Sequence, residues 1–100
     1  MEYRWYKAWP LWCPKTIEVN RPVSEYIREW ATLRPNGIAL SFYGKDISYK
    51  ELNEYIDRFA WSLIDIGVKK NDRVAVYMEN CPQFVIAYFA IQRAGGVVIP

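Results

Sequence analysis

Histidine is absent from the 100 residues of this chain. No imidazole can serve as base, acid or ligand, so neither a Ser-His-Asp nor a Cys-His nucleophile system can be assembled from it. Cysteine is scarce: Cys13 and Cys81 stand far apart and cannot make a four-ligand Cys/His zinc site. The expected reading is two reduced thiols in an intracellular protein, with one disulfide between them as the alternative. Neither sign of charge dominates, because 13 Lys and Arg face 11 Asp and Glu for a net charge of +2. The charges are interspersed, so electrostatics offers no footprint of a nucleic-acid partner. The N-terminus carries Glu2, Arg4 and Lys7 and lacks the apolar centre of a signal peptide. Asn80 to Pro100 holds a single charge, Arg93, but Pro82 and Gly95-Gly96 divide it into a short helix and a short strand. That stretch reads as buried core and not as a transmembrane segment, and the expected location is cytoplasmic.

What is present is apolar and aromatic. At 52% hydrophobic and 17% aromatic the chain is too rich in core-forming side chains to be disordered throughout. Residues 1–21 form an arm in which Tyr3, Trp5, Tyr6, Trp9 and Trp12 are interleaved with Pro10 and Pro14, which argues against a continuous helix. Such rings beside basic residues can stack on bases, but the arm is expected to lie against the body and bury them. From Pro22 to Arg34 the set Val23, Tyr26, Ile27, Trp30 and Ala31 has helical spacing, with Ser24, Glu25, Arg28, Glu29 and Thr32 outward. Pro35, Asn36 and Gly37 end that helix, and Ile38 to Phe42 follows as a strand. Gly44 and Lys45 are expected to turn the chain into a short strand near Asp46 to Ser48, making a hairpin.

Ser48 with Glu51 three residues on is a capping box, so a second helix begins there. Its expected buried stripe is Leu52, Tyr55, Ile56, Phe59, Ala60, Leu63 and Ile66, with Gly67 as the residue just past the end. Trp61 falls on the polar face. Asn71 suits a positive φ in the next turn. Arg73 to Met78 reads as a strand that is apolar on both faces, as in a covered parallel sheet. Pro82 opens a helix apolar nearly all round, and Val97 to Ile99 is another buried strand, giving a right-handed βαβ unit. A helix apolar on every side belongs inside a larger protein. Since 100 residues are too few to bury both that helix and a two-faced sheet, the chain is expected to be the opening piece of something bigger.

Chemical motifs are mostly missing. Neither G-x-G-x-x-G nor G-x-x-x-x-G-K-[ST] occurs. Gly95-Gly96 joins a helix to a strand, the reverse of a phosphate-binding turn, and reads as a tight structural turn. Glu51, Glu54, Asp57 and Asp65 read as a cap partner and a solvated helix face. The turn Asn80-Cys81-Pro82 follows the C-terminal end of a parallel strand, where α/β sheets place ligands; helix initiation is its other account.

The order of these pieces resembles a known family. Ile47-Ser48-Tyr49-Lys50-Glu51-Leu52 is similar to the L-[TS]-Y-x-E-L motif of the AMP-forming acyl-CoA synthetases and related adenylating enzymes. Gly67 to Val74 resembles their G-V-x-x-G-D-R-V turn and strand, with Asn71 in place of Gly. Asn80 followed by Phe84, Ala87, Ala90 and Ile91, then Ala94 to Pro100, is similar to their next helix and A-G-G-x-x-x-P strand. Trp9-Pro10 and Pro14-Lys15 look like the N-terminal arm of fatty-acid-activating members.

The resemblance covers residues 9–100. It implies a partial N-terminal α/β subdomain, incomplete relative to the full family domain: arm 1–21, then residues 22–100 with an amphipathic helix, a hairpin, a capped helix and the βαβ unit. It implies ATP, magnesium and coenzyme A for a whole enzyme. It assigns no catalytic, cofactor-binding or metal residue here, because the family's phosphate loop, nucleotide contacts, acyl pocket and catalytic lysine lie beyond the equivalent of Pro100. The expected partner is the remainder of the same enzyme or a separately encoded chain, with self-association through apolar surface if isolated. The alternative is a small stand-alone binding or assembly module.

Overall fold

The structure is a computed structural model that describes residues 7–13 and 21–100. Its elements are α1 (Val23–Leu33), β1 (Ile38–Phe42), β2 (Lys45–Ser48), α2 (Tyr49–Asp65), β3 (Arg73–Ala75), α3 (Pro82–Arg93) and β4 (Val97–Ile99). Tyr3, Trp5, Tyr6, Pro14 and Lys15 lie outside the described residues. Within the arm, the Trp9 indole N–H donates to the Cys13 carbonyl at 2.9 Å. Trp12 is 84% exposed, so this ring is not buried against the body as expected.

β1 and β2 pair antiparallel, with Phe42 opposite Lys45 and a register shift between Ile38 and Leu40. The turn therefore falls on Tyr43-Gly44, one residue earlier than the sequence suggests. Both turn residues have positive φ, 48° and 79°, which gives the mirror-image turn whose twist matches a hairpin. β3 and β4 pair parallel, with Val74 opposite Val98, and α3 lies between them in sequence. β3 is shorter than expected, although the Val76 N–H still reaches the Ile99 carbonyl at 2.8 Å.

α2 is held at both ends by local chemistry. The Ser48 hydroxyl accepts the Glu51 N–H at 3.2 Å and donates to the Glu51 carboxylate at 3.1 Å. The Tyr49 and Lys50 N–H groups donate to the carbonyls of Gly37 and Pro35 at 2.9 and 3.1 Å. Three of the helix's first N–H groups are thus satisfied by protein, which leaves little of an open anion site. At the other end Gly67 takes φ 106°. The Val68 N–H bonds to the Leu63 carbonyl and the Gly67 N–H to the Ile64 carbonyl, a complete Schellman arrangement.

The core comprises Ile47, Leu52, Ile56, Ala60, Leu63, Val76, Ala90 and Ile91. Four of these come from α2, but the expected stripe is wider than the one that is covered. Tyr55 and Phe59 are each 39% exposed and Ile66 is 79% exposed. The edges of an apolar stripe are buried only as far as a neighbour reaches over them, and Tyr55 and Phe59 are covered in part while Ile66 is left open. α1 is also rotated from expectation: Ser24 is buried, whereas Val23 and Trp30 are exposed. α3 is covered only in part, in keeping with a helix expected inside a larger protein. Ala87, Ala90 and Ile91 are buried and Phe84, Val85, Ile86 and Phe89 are half-buried against the core. Cover is also missing from one face of the β3–β4 pair. No described helix is long and apolar enough to cross a membrane.

Candidate functional site

The turn at Asn80-Cys81-Pro82 is the place where strand chemistry would put a ligand. Pro82 occupies the first turn of α3, where its missing N–H costs nothing, and Cys81 precedes the helix without a side-chain cap. Helix initiation is therefore visible here. The turn also borders an open pocket of about 280 Å³ shared with Leu40, Ser41, Phe42 and Val85. Its walls are mostly apolar, and the Ser41 hydroxyl is committed to Asp46, donating at 2.7 Å.

A larger groove of about 630 Å³ opens on the other side of Pro82. Ile47, Tyr55, Phe59, Met78 and Ile86 line it, and Lys45, Glu51 and Arg58 are the charged groups along it. The periodicity of α2 singles out Tyr55 and Phe59 but assigns them to the core. Nothing in the sequence separates a core ring from a groove ring.

Arg93 is the side chain that sequence reasoning underuses. It stands in the last turn of α3, where a cation complements the helix dipole, and only 8% of its side chain is exposed. One guanidinium nitrogen donates to Asn53 Oδ1 at 2.8 Å and to Asp57 Oδ1 at 2.9 Å. A second donates to the Ser24 carbonyl at 2.7 Å, and the third, Nε, is buried without a partner among the described residues. A single buried cation thus ties α1, α2 and α3 together. Asp57, expected on a solvated face, is instead an ion-pair partner of Arg93, with Arg28 also approaching it at 3.5 Å. Trp61 is 68% exposed beside this cluster, on the polar face as expected. The signal available beforehand was one charge inside an otherwise uncharged stretch.

The Gly95-Gly96 turn is structural. Gly95 takes φ 90°, and a Cβ on Gly96 would meet Ile91 Cγ2 at 3.0 Å and the Asp72 carbonyl at 3.2 Å. The N–H groups of Gly95, Gly96 and Val97 donate to Gln92, Ile91 and Asp72 carbonyls, so none points out for a phosphate. Asn71 has φ 71° and its N–H donates to the Gly95 carbonyl, as its place in the turn requires. Among the described residues no three His, Cys, Asp or Glu side chains gather where a metal could sit. No disulfide joins Cys13 to Cys81.

This arrangement can position chain segments, and among the described residues no nucleophile and base are assembled. Its order of elements has close counterparts. The AMP-binding enzyme pattern matches residues 27–100, well over half of the chain. The chain belongs to the AMP-binding enzyme family. It is 33% identical over 96 residues to a long-chain-fatty-acid–CoA ligase of Bacillus subtilis, covering 95% of this chain and 17% of the relative. It is 32% identical over 83 residues to triostin synthetase I of Streptomyces triostinicus, covering 83% of this chain and 16% of that protein. The N-terminal subdomain of Klebsiella oxytoca NpsA, solved with 3-hydroxybenzoyl-AMSN, superposes with a TM-score of 0.75 at 31% identity. That superposition covers 78% of this chain and 20% of the solved one. The chain thus spans about a fifth or less of the length of these AMP-binding relatives.

Proposed function

We propose that this chain is the N-terminal part of an ATP-dependent, AMP-forming carboxylic acid–CoA ligase of the fatty-acid-activating type, working in the cytoplasm. In such a ligase a carboxylate and ATP give an acyl-adenylate and pyrophosphate, with magnesium accompanying the ATP, and the coenzyme A thiol then displaces AMP. Residues 22–100 supply the first α/β portion of the adenylating domain and residues 1–21 an arm. The segment acts as framework. The observation that carries this reading is the superposition on an N-terminal subdomain, with 31% identity over most of the chain.

The groups of the described residues do not fit ATP or its metal. The one glycine pair has its N–H groups consumed internally, and the described residues offer no acidic cluster. No catalytic, cofactor-binding or metal residue is assigned to this segment, because no position in it matches the family's nucleotide-binding or catalytic motifs, and no step of the reaction is routed through it. The purified 100-residue chain is expected to give only background ATP–pyrophosphate exchange with fatty acids. Exchange above background would overturn the framework role.

A second reading, a stand-alone module that docks on a partner, is favoured by one observation, the uncovered apolar face beside β3 and β4. The mass of the native gene product decides between the two. A value several times 11.8 kDa supports the ligase segment, and a value near 11.8 kDa supports the module.

A further inference from the structure

The groove beside Pro82 measures about 630 Å³, within the range of small-molecule sites. Three elements build it. Tyr55, Arg58 and Phe59 fall on one side of α2 at helical spacing, and Lys45 shares a face of β2 with Ile47. Met78 and Ile86 close it from the far side, before and within α3. Its floor is apolar and only partly dry: Ile47 is buried, whereas Tyr55 and Phe59 keep 39% exposure each and Met78 keeps 48%. A ligand lying here would take that surface out of water. Lys45 and Arg58 stand on the rim, and neither side chain has an ion pair or hydrogen bond among the described residues. Glu51, the one carboxylate of the groove, is already engaged by the Ser48 hydroxyl at 3.1 Å.

We propose that this groove binds a medium-chain carboxylate, such as decanoate. The apolar chain lies on Tyr55, Phe59, Met78 and Ile86, and the rim cations Lys45 and Arg58 supply the counter-charge. Charge and length select this ligand. Two cations without partners over apolar walls ask for an anion that carries an apolar tail. From Glu51 to Ser62 the α2 wall runs for about 17 Å at 1.5 Å per residue, long enough for an extended chain of that size. A phosphate is the poorer head group, because it is held by several N–H donors. Pro82 has none, and the Phe84 and Val85 N–H groups are spent on the Cys81 carbonyl. A carboxylate needs only side-chain cations. None of this depends on the ligase reading, which either result below leaves intact.

Titration calorimetry tests this on the 100-residue chain and on the native-length product, with decanoate below its micelle concentration and decanol as the uncharged comparison. Decanoate is expected to saturate one site per chain and decanol to bind at least about tenfold more weakly, since it forgoes the charge-assisted contact. Lys45→Gln with Arg58→Gln is expected to weaken decanoate about tenfold and to leave decanol unchanged. Met78→Glu places a carboxylate on the apolar wall and is expected to abolish decanoate binding. All three positions are exposed, so the melting temperature is expected to hold. Amide shifts at Tyr55 and Phe59 on adding decanoate locate the ligand. Equal affinity for decanoate and decanol overturns the site, as does an affinity unchanged in the rim variant or shifts confined to other elements. Binding by the 100-residue chain that disappears in a longer native product also overturns it, because the groove is then an internal contact.

Discussion

Arg93 shows how one residue can organise three helices. Its guanidinium is almost fully buried, while its acid partner Asp57 keeps 43% of its side chain exposed. The pair is therefore asymmetric: loss of Asp57 strands a buried cation, whereas loss of Arg93 frees a carboxylate that water can take up. Arg93→Ala also removes the donors to Asn53 and the Ser24 carbonyl. At about 1 kcal/mol net for each of several hydrogen bonds, Arg93→Ala is expected to cost about 2–3 kcal/mol in urea unfolding. Asp57→Asn keeps an acceptor oxygen but leaves the buried Arg93 without its counter-charge, and is expected to cost about 1.5–3 kcal/mol. A cost for Arg93→Ala no larger than for an exposed residue such as Lys50 would refute the hub. Ile56, wholly buried at the centre of α2, provides the apolar comparison, with Ile56→Ala expected to lose about 2–5 kcal/mol.

At the scale of elements, caps and turns set boundaries. Ser48→Ala removes the acceptor for the Glu51 N–H and is expected to cost about 1 kcal/mol. Gly67→Ala meets open space but must hold φ 106°, so it is expected to lose about 1–2 kcal/mol through backbone strain alone. Gly96→Ala fails for the opposite reason. Its φ is ordinary but its Cβ would press on Ile91 and the Asp72 carbonyl, so it should disturb the β4 pairing. Thermal melts of the two glycine variants, with amide exchange read at Val97, separate strain from collision. Loss of Val97 protection is expected only in Gly96→Ala.

For the molecule as a whole, the residue count sets the problem. The helices and hairpin enclose one core, yet Tyr77, Met78, Val97, Ile99, Tyr55 and Phe59 remain open. Exposed apolar surface of this kind favours association. The isolated chain is expected to gain mass with concentration in light scattering, and Tyr77→Lys with Ile99→Lys should weaken that gain. A monomer mass at every concentration would show that these side chains are too dispersed to make a contact.

The sequence by itself determined what is local. Helix ends followed from Ser48, Gly67 and Pro82, the hairpin from the Gly44 region, and the glycine pair from the tight turn before β4. Each depends on a few neighbouring residues and on hydrogen bonds that close within them. The family was legible in the order of the same pieces. Tertiary structure alone decided which apolar positions are covered. Periodicity named a seven-residue stripe on α2, but only the positions that α3, the hairpin and Val76 reach are buried. It placed Ser24 and Asp57 in water, yet Ser24 is buried and Asp57 pairs with Arg93. Burial is a property of where other elements arrive, and no spacing within one helix records that.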